Sequence, residues 1–279
     1  MPTAPATEAA TPAAPPPAAV VAGALFYPVA LASLVLLALF QGDRVMLMQT
    51  VQSLTQSLPD AFWAAATLLG NGSMLFACLA LAWRRRPDWL MAGLCTLPIA
   101  GLLTHGPKNL IISPRPAAVL PPEQLHIIGE RLAAASFPSG HTLSAFTVAA
   151  ILILAPRCPR PLALLVLLVA VIAGLSRVAV GAHWPTDVVA GMIGGWLSGA
   201  AGVWIVHRIH WLTSRPAALL AALIVLLSSL SLFFVDIGYH QALWFKYLVA
   251  GMGSMAALQW LLAGLRRAPA PSFPVRNSS

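Results

Sequence analysis

Charge is scarce in this chain: Asp, Glu, Lys and Arg make up 9% of its 279 residues, against about 25% in soluble domains. That scarcity excludes an ordinary water-soluble globule. Acids are rarer than bases, 8 Asp and Glu against 16 Lys and Arg, for a net charge of +8. In a soluble protein this balance would suggest nucleic acid. Here the bases sit in loops of a chain that is 59% apolar with a mean hydropathy of +0.82, so no nucleic-acid partner is expected. Cysteine is sparse too: Cys78 and Cys95 lie inside apolar stretches and Cys158 in a short loop, which excludes a disulfide framework. No Lys or Arg precedes Arg44. The basic n-region of a signal peptide is therefore missing, and the first apolar block is expected to be a retained span.

What the chain has in abundance is apolar sequence, in blocks of roughly 18 residues or more that can each cross a hydrocarbon core of about 30 Å. Eight spans are expected, near 20–40, 61–83, 90–103, 142–155, 162–180, 188–206, 217–235 and 243–265. The predicted fold class is all-α, a polytopic transmembrane helical bundle embedded in a lipid bilayer. Residues 1–19, almost wholly Ala, Pro and Thr, cannot bury a core and are expected to be disordered. Arg84, Arg85, Arg86, Arg157, Arg160, Arg208, Arg215, Arg266, Arg267 and Arg276 gather on one side of these spans. A cytoplasmic excess of Lys and Arg then places both termini, and the tail 266–279, in the cytoplasm. The loops 104–141 and 176–187 face outside, or the periplasm.

Two further patterns bear on architecture. Leu47, Val51, Leu54 and Leu58 recur at helical spacing between the first two spans, which reads as an amphipathic helix in the outer interface or as a simple connecting loop. Gly191, Gly195 and Gly199 recur every four residues along the sixth span, a pattern that permits close helix approach.

Ionisable groups at membrane depth are costly and need a reason, which directs attention to three polar clusters of the outer loops. The first reads KNLIISPRP, from Lys108 to Pro116. The second reads PSGH, with Ser139, Gly140 and His141 immediately before an apolar span. The third reads SRVAVGAHWPTD and holds Arg177, His183 and Asp187. Gly140 permits close backbone approach, and the free amides of the following helix form an anion site. Ser139 adds a hydroxyl donor, while Lys108, Arg115 and Arg177 supply cations, arginine matching phosphate oxygens as a fork. Together these describe a phosphate pocket. An imidazole attacks phosphorus when an acidic partner holds its tautomer, a pairing that His183 and Asp187 can make. His141 can then protonate the leaving oxygen.

The spacing resembles that of the phosphatidic acid phosphatase type 2 superfamily, Lys-x6-Arg-Pro, then Pro-Ser-Gly-His, then Ser-Arg-x5-His-x3-Asp. Every specified position is matched in order between Lys108 and Asp187. The resemblance implies a metal-independent phosphohydrolase with a phosphohistidine intermediate and no cofactor. His183 is then the nucleophile, Asp187 its partner and His141 the acid for the leaving group. Lys108, Arg115, Ser139, Gly140 and Arg177 form the phosphate-binding set. It also implies a lipid phosphate substrate reached from the outer leaflet: undecaprenyl diphosphate, phosphatidylglycerol phosphate, phosphatidate or a lipid A phosphate. A phosphotransferase using the same site is the alternative reading, and a non-catalytic transporter or lipid-binding protein a distant third. Six spans, over 20–207, make up the superfamily core, and the helix pair in 208–265 is an addition.

The remaining polar residues are expected to be bystanders. Asp236, His240 and Lys246 read as polar side chains at the interface, His105 as a helix-end residue, and Glu123, His126, Glu130 and Arg131 as members of a solvated loop. His207 and His210 fall on the opposite side of the membrane. The histidines lack ligand spacing with carboxylates or thiolates, so no metal site is expected.

Overall fold

The structure is a computed structural model that describes residues 18–156 and 158–266. The tail 266–279 beyond Arg266, nearly all of the segment 1–19, and Arg157 lie outside the described residues. All regular structure among the described residues is helical, as expected for backbone that must satisfy its hydrogen bonds internally in a bilayer. The helices are α1 (Ala18–Gln41), α2 (Arg44–Thr55), α3 (Asp60–Leu68), α4 (Gly72–Ala80), α5 (Pro87–Leu110), α6 (Pro116–Val119), α7 (Gly140–Leu154), α8 (Arg160–Ala179), α9 (Pro185–Arg208), α10 (Arg215–Ser231) and α11 (Leu243–Leu265). By length and composition 4 of the helices can cross a membrane, or up to 6 spans if each bent pair counts as one, with α7 and α10 apolar but shorter. Each of the eight expected spans overlaps a helix or a bent pair, of which up to 6 have the length and composition of a crossing, and the protein is a multi-pass membrane protein.

The expected boundaries are corrected in two places that matter for chemistry. The second span is not continuous. Asn71 accepts from the amides of Ser73 and Met74, starting α4 afresh, so α3 and α4 meet at a bend of 70°. A Cβ on Gly70 would stand 2.7 Å from His141 Cβ; the break makes room for the start of α7. The third span does not stop near residue 103. It continues through Pro107 to Leu110, so Lys108 rides on the last turn of α5 and not in a loop. Pro107 lacks an amide proton, yet its carbonyl still accepts from Ile111, which closes the helix.

The segment between the first two spans is a helix, α2, set at 114° to the preceding one. Asp43 caps it by accepting from the amides of Val45 and Met46. Its buried side carries Met48, Gln52 and Thr55. Gln52 reaches across to donate to the carbonyl of His126 at 2.7 Å and accepts from the amide of the same residue at 3.1 Å.

At the centre, α7 and α9 lie in contact along Gly191, Gly195 and Gly199. A Cβ at Gly191 would meet the Ser139 carbonyl at 2.6 Å, and Cβ atoms at Gly195 and Gly199 would meet the carbonyls of Leu143 and Thr147. The glycine stripe is therefore a packing device. The last two helices are not peripheral to this core. Trp260 of α11 stacks on Trp83 at 5.8 Å, and Ala221, Ala222 and Val225 of α10 share a buried cluster with Leu79 and Leu90.

Candidate active site

The three polar clusters converge at one end of the bundle. Arg115 lies beyond α5, in a loop whose amide donates to the Ala133 carbonyl at 2.9 Å. Ala135 has φ 53°, the left-handed region. Beside it, Arg115 Nε donates to the Ala134 carbonyl at 2.8 Å and Nη1 to the Ala182 carbonyl at 2.9 Å. Ser139 is fully buried as the N-cap of α7. Its Oγ accepts from the hydroxyl of Thr142 at 2.9 Å, and its amide donates to the Asp187 carbonyl at 3.0 Å. The start of α7 is thereby pinned to the start of α9. Gly140 faces Thr104, whose methyl would stand 3.1 Å from an added Cβ.

His183 sits in the short connection between α8 and α9, and it and Asp187 are each 2% exposed. Its Nδ1 faces Asp187 Oδ2 at 3.4 Å and its Nε2 lies 3.2 Å from Arg115 Nη1. A guanidinium can only donate, so Nε2 presents its lone pair and the ring proton is on Nδ1, facing the carboxylate. This is the tautomer that a nucleophilic Nε2 requires. Burial, reinforced by Arg177, Arg115 and Lys108, holds the His183 pKa well below the ordinary histidine value. The ring is therefore neutral near pH 7. Asp187 Oδ2 also accepts from Ser136 Oγ at 2.5 Å and from the Trp184 amide at 2.9 Å. Trp184 is held in turn by donating from Nε1 to the Pro114 carbonyl at 2.9 Å and by Arg44, whose guanidinium lies 4.8 Å from its ring centre.

His141 opens α7 on the other side of the pocket. Its Nε2 is shielded from solvent and has no hydrogen-bond partner among the described residues. It shares an electrostatic environment with Arg177, His183, Lys108 and Arg115. Arg177, on the last turn of α8, is 2% exposed and donates from Nη1 to Thr67 and, at 2.8 Å, to the Tyr239 hydroxyl. Neither Arg115 nor Arg177 forms an ion pair with a carboxylate among the described residues. Buried cations without a counter-ion are costly. An anion in the pocket would supply the missing counter-charge.

All eight residues singled out by motif come to this end of the bundle. Three that touch them carried no motif: Ser136, Thr67 and Tyr239. Ser136 stands three positions before Ser139, and Thr67 is a hydroxyl within an apolar span. Tyr239 lies in the α10–α11 loop, remote in sequence from every cluster. Lys246 corrects the expectation of an interfacial cation, because it is 3% exposed and donates to the Val235 carbonyl at 2.7 Å. The long outer loop is also pinned and not merely solvated: His126 pairs with Asp60 at 2.9 Å, and Arg131 donates to the Ala117 carbonyl at 2.8 Å. Among the described residues no three His, Cys, Asp or Glu gather as a metal site.

Residues 89–211 match the model of the PAP2 superfamily, a segment that contains all three clusters. Over that segment, 123 of the 279 residues, the chain is similar to that superfamily. The structure of LpxE from Aquifex aeolicus superposes on this chain with a TM-score of 0.50 and 25% sequence identity, over 57% of this chain and 95% of that one. An undecaprenyl-diphosphatase from Sulfolobus acidocaldarius is 45% identical over 64 residues, which is 23% of this chain. The match spans about 30% of the length of that relative.

Proposed function

We propose that this protein belongs to the PAP2 superfamily and is an integral membrane lipid phosphatase that hydrolyses a phosphomonoester or diphosphate lipid at the outer leaflet through a phosphohistidine intermediate. The observation that carries the reading is the pair of buried arginines without carboxylate partners beside the Nε2 lone pair of a neutral histidine. The phosphate occupies the space between Lys108, Arg115, Arg177, Ser139 and the amides at the start of α7 around Gly140. Arg115 turns from Nε2 to the phosphate oxygens, which frees the lone pair. His183 Nε2 then bonds to phosphorus as the bond from phosphorus to the leaving oxygen breaks. The leaving oxygen takes its proton from His141. Asp187 stabilises the positive charge on the ring through Nδ1–H. Water, giving its proton back to His141, next attacks the phosphohistidine and releases inorganic phosphate. No step calls for a metal ion.

A lipid substrate is supported by the surroundings of the site. An apolar recess lined by Phe76, Leu79, Leu97 and Val148 lies between α4, α5 and α7 and includes Ser144, one turn along α7 from His141. It suits hydrocarbon and not a second polar group. An undecaprenyl-diphosphatase among the relatives makes a prenyl diphosphate one candidate. The orientation is supported by arginine placement: Arg86, Arg160, Arg208 and Arg215 all stand at helix ends away from His183, which favours a reading with that face in the cytoplasm of a bacterial inner membrane and the site outside. In this reading 20–207 is the phosphatase core and 208–265 an added pair.

The test is phosphate release by the purified protein in EDTA from a panel of lipid monophosphates and diphosphates, with His183→Ala prepared in parallel. Release by the wild type and none by the variant is the expected result. A folded wild type that releases no phosphate, equal release by the variant, or restoration only by added metal overturns the reading.

A further inference from the structure

The α10–α11 pair has so far been an addition to the core, but its loop enters the site. Tyr239 is 9% exposed, and its hydroxyl accepts from Arg177 Nη1 at 2.8 Å, with the ring centre 5.9 Å from the guanidinium carbon. Thr67 of the broken second span, fully buried, accepts from the same nitrogen. An arginine Nη1 has two protons. Both are thus committed to neutral oxygens, while Arg177 Nε, shielded from solvent, has no partner among the described residues. The edge formed by Nε and Nη2 is the one that matches two oxygens of a phosphate as a fork. Holding Nη1 from behind fixes the plane of the guanidinium and leaves that edge for the ligand.

The loop is built to place this hydroxyl. Gly129 and Gly238 have φ of 87° and 76°, backbone conformations natural to glycine. A Cβ on Gly129 would stand 2.6 Å from the Gly238 carbonyl and 2.9 Å from the Tyr239 ring. The outer loop and the α10–α11 loop therefore touch backbone to backbone at the residue before Tyr239. Lys246 holds the start of this loop through the Val235 carbonyl.

We propose that Tyr239, together with Thr67, is a positioning residue that orients Arg177 toward the phosphoryl group, so that the C-terminal helix pair is part of the catalytic apparatus. The proposal rests on the reading of Arg177 as a phosphate ligand. Tyr239→Phe keeps the ring and removes only the acceptor. Thr67→Val removes the other acceptor at nearly constant volume, and Thr67→Ser restores it.

The experiment measures kcat and KM for lipid phosphate and, separately, protection against thermal unfolding by orthovanadate, a phosphate-shaped anion. The expected result is that Tyr239→Phe and Thr67→Val each lose about tenfold or more in kcat/KM, as for loss of a hydrogen bond to a charged group. They should need correspondingly more orthovanadate for the same protection while melting near the wild type without it. Thr67→Ser should recover most of both. Wild-type values of kcat/KM and orthovanadate protection in Tyr239→Phe overturn the proposal. If Tyr239→Phe does not fold, the threonine pair decides, and a Thr67→Val protein with wild-type orthovanadate protection overturns it. A wild type that neither releases phosphate nor is protected by orthovanadate removes the underlying reading instead.

Discussion

Ser136 donates to Asp187 Oδ2 at 2.5 Å, the same oxygen that faces His183 Nδ1 at 3.4 Å. The carboxylate that orients the histidine is thus itself held by a residue from another loop, with the Trp184 amide as its third partner. Support of this kind keeps a catalytic group within a fraction of an ångström of its working position.

Removing that support separates orientation from charge. Ser136→Ala is expected to lower kcat by about tenfold, the scale of a hydrogen bond to a charged group, with the protein still folded. Steady-state phosphate release beside a melting curve in detergent checks both halves, and an unchanged kcat defeats the role given to Ser136.

Asp187→Asn keeps the shape and removes the charge. The amide can turn its NH₂ toward Nδ1 and favour the other tautomer, placing the proton on Nε2. By analogy with other histidine–aspartate pairs, kcat should fall by about 10²–10⁴-fold. Rapid-quench trapping of the phosphohistidine should show the loss in its formation; a loss confined to its hydrolysis contradicts this account.

The pH dependence follows from the lowered pKa of His183. A lowered pKa means the ring stays neutral, and competent, as pH falls through the ordinary value near 6.5. Activity controlled by His183 is therefore complete above that value and lost only on further acidification. Stability follows the same sign: it is complete above pH of about 6.5 and declines below, because the unfolded chain takes up the proton first. Arg115→Gln removes one of the cations that lower the pKa, so the acid limb of kcat/KM should move to higher pH. A limb that stays in place, measured with the same substrate, would falsify that electrostatic assignment.

Gly70→Ala tests the break in the second span. Its Cβ would stand 2.7 Å from His141 Cβ and 2.8 Å from the His141 carbonyl, so the start of α7 must shift. Stability should fall by about 1–3 kcal/mol, the usual cost of overpacking, and activity by more than the unfolded fraction explains. Comparing activity per folded molecule with the wild type gives the answer.

Much of this protein is determined by its sequence alone. A charge content of 9% forces the helices into a bilayer, since no soluble fold hides so much apolar surface. Lys108, Arg115, Ser139, Gly140, His141, Arg177, His183 and Asp187 point to the proposed phosphate site because their spacing is local and their chemistry is expensive to bury. Tertiary structure alone decided the rest. The break at Gly70, which apolar periodicity does not register, depends on the approach of α7. Lys246 reads as interfacial until the Val235 carbonyl is seen to receive it. Thr67 and Tyr239 lie far apart in the chain and carry no motif, and each hydroxyl acquires meaning only where folding brings it to Arg177. Local sequence specifies which groups can do chemistry; long-range packing specifies which neighbours hold them still, because such partners are chosen by distance in space and not by position along the chain.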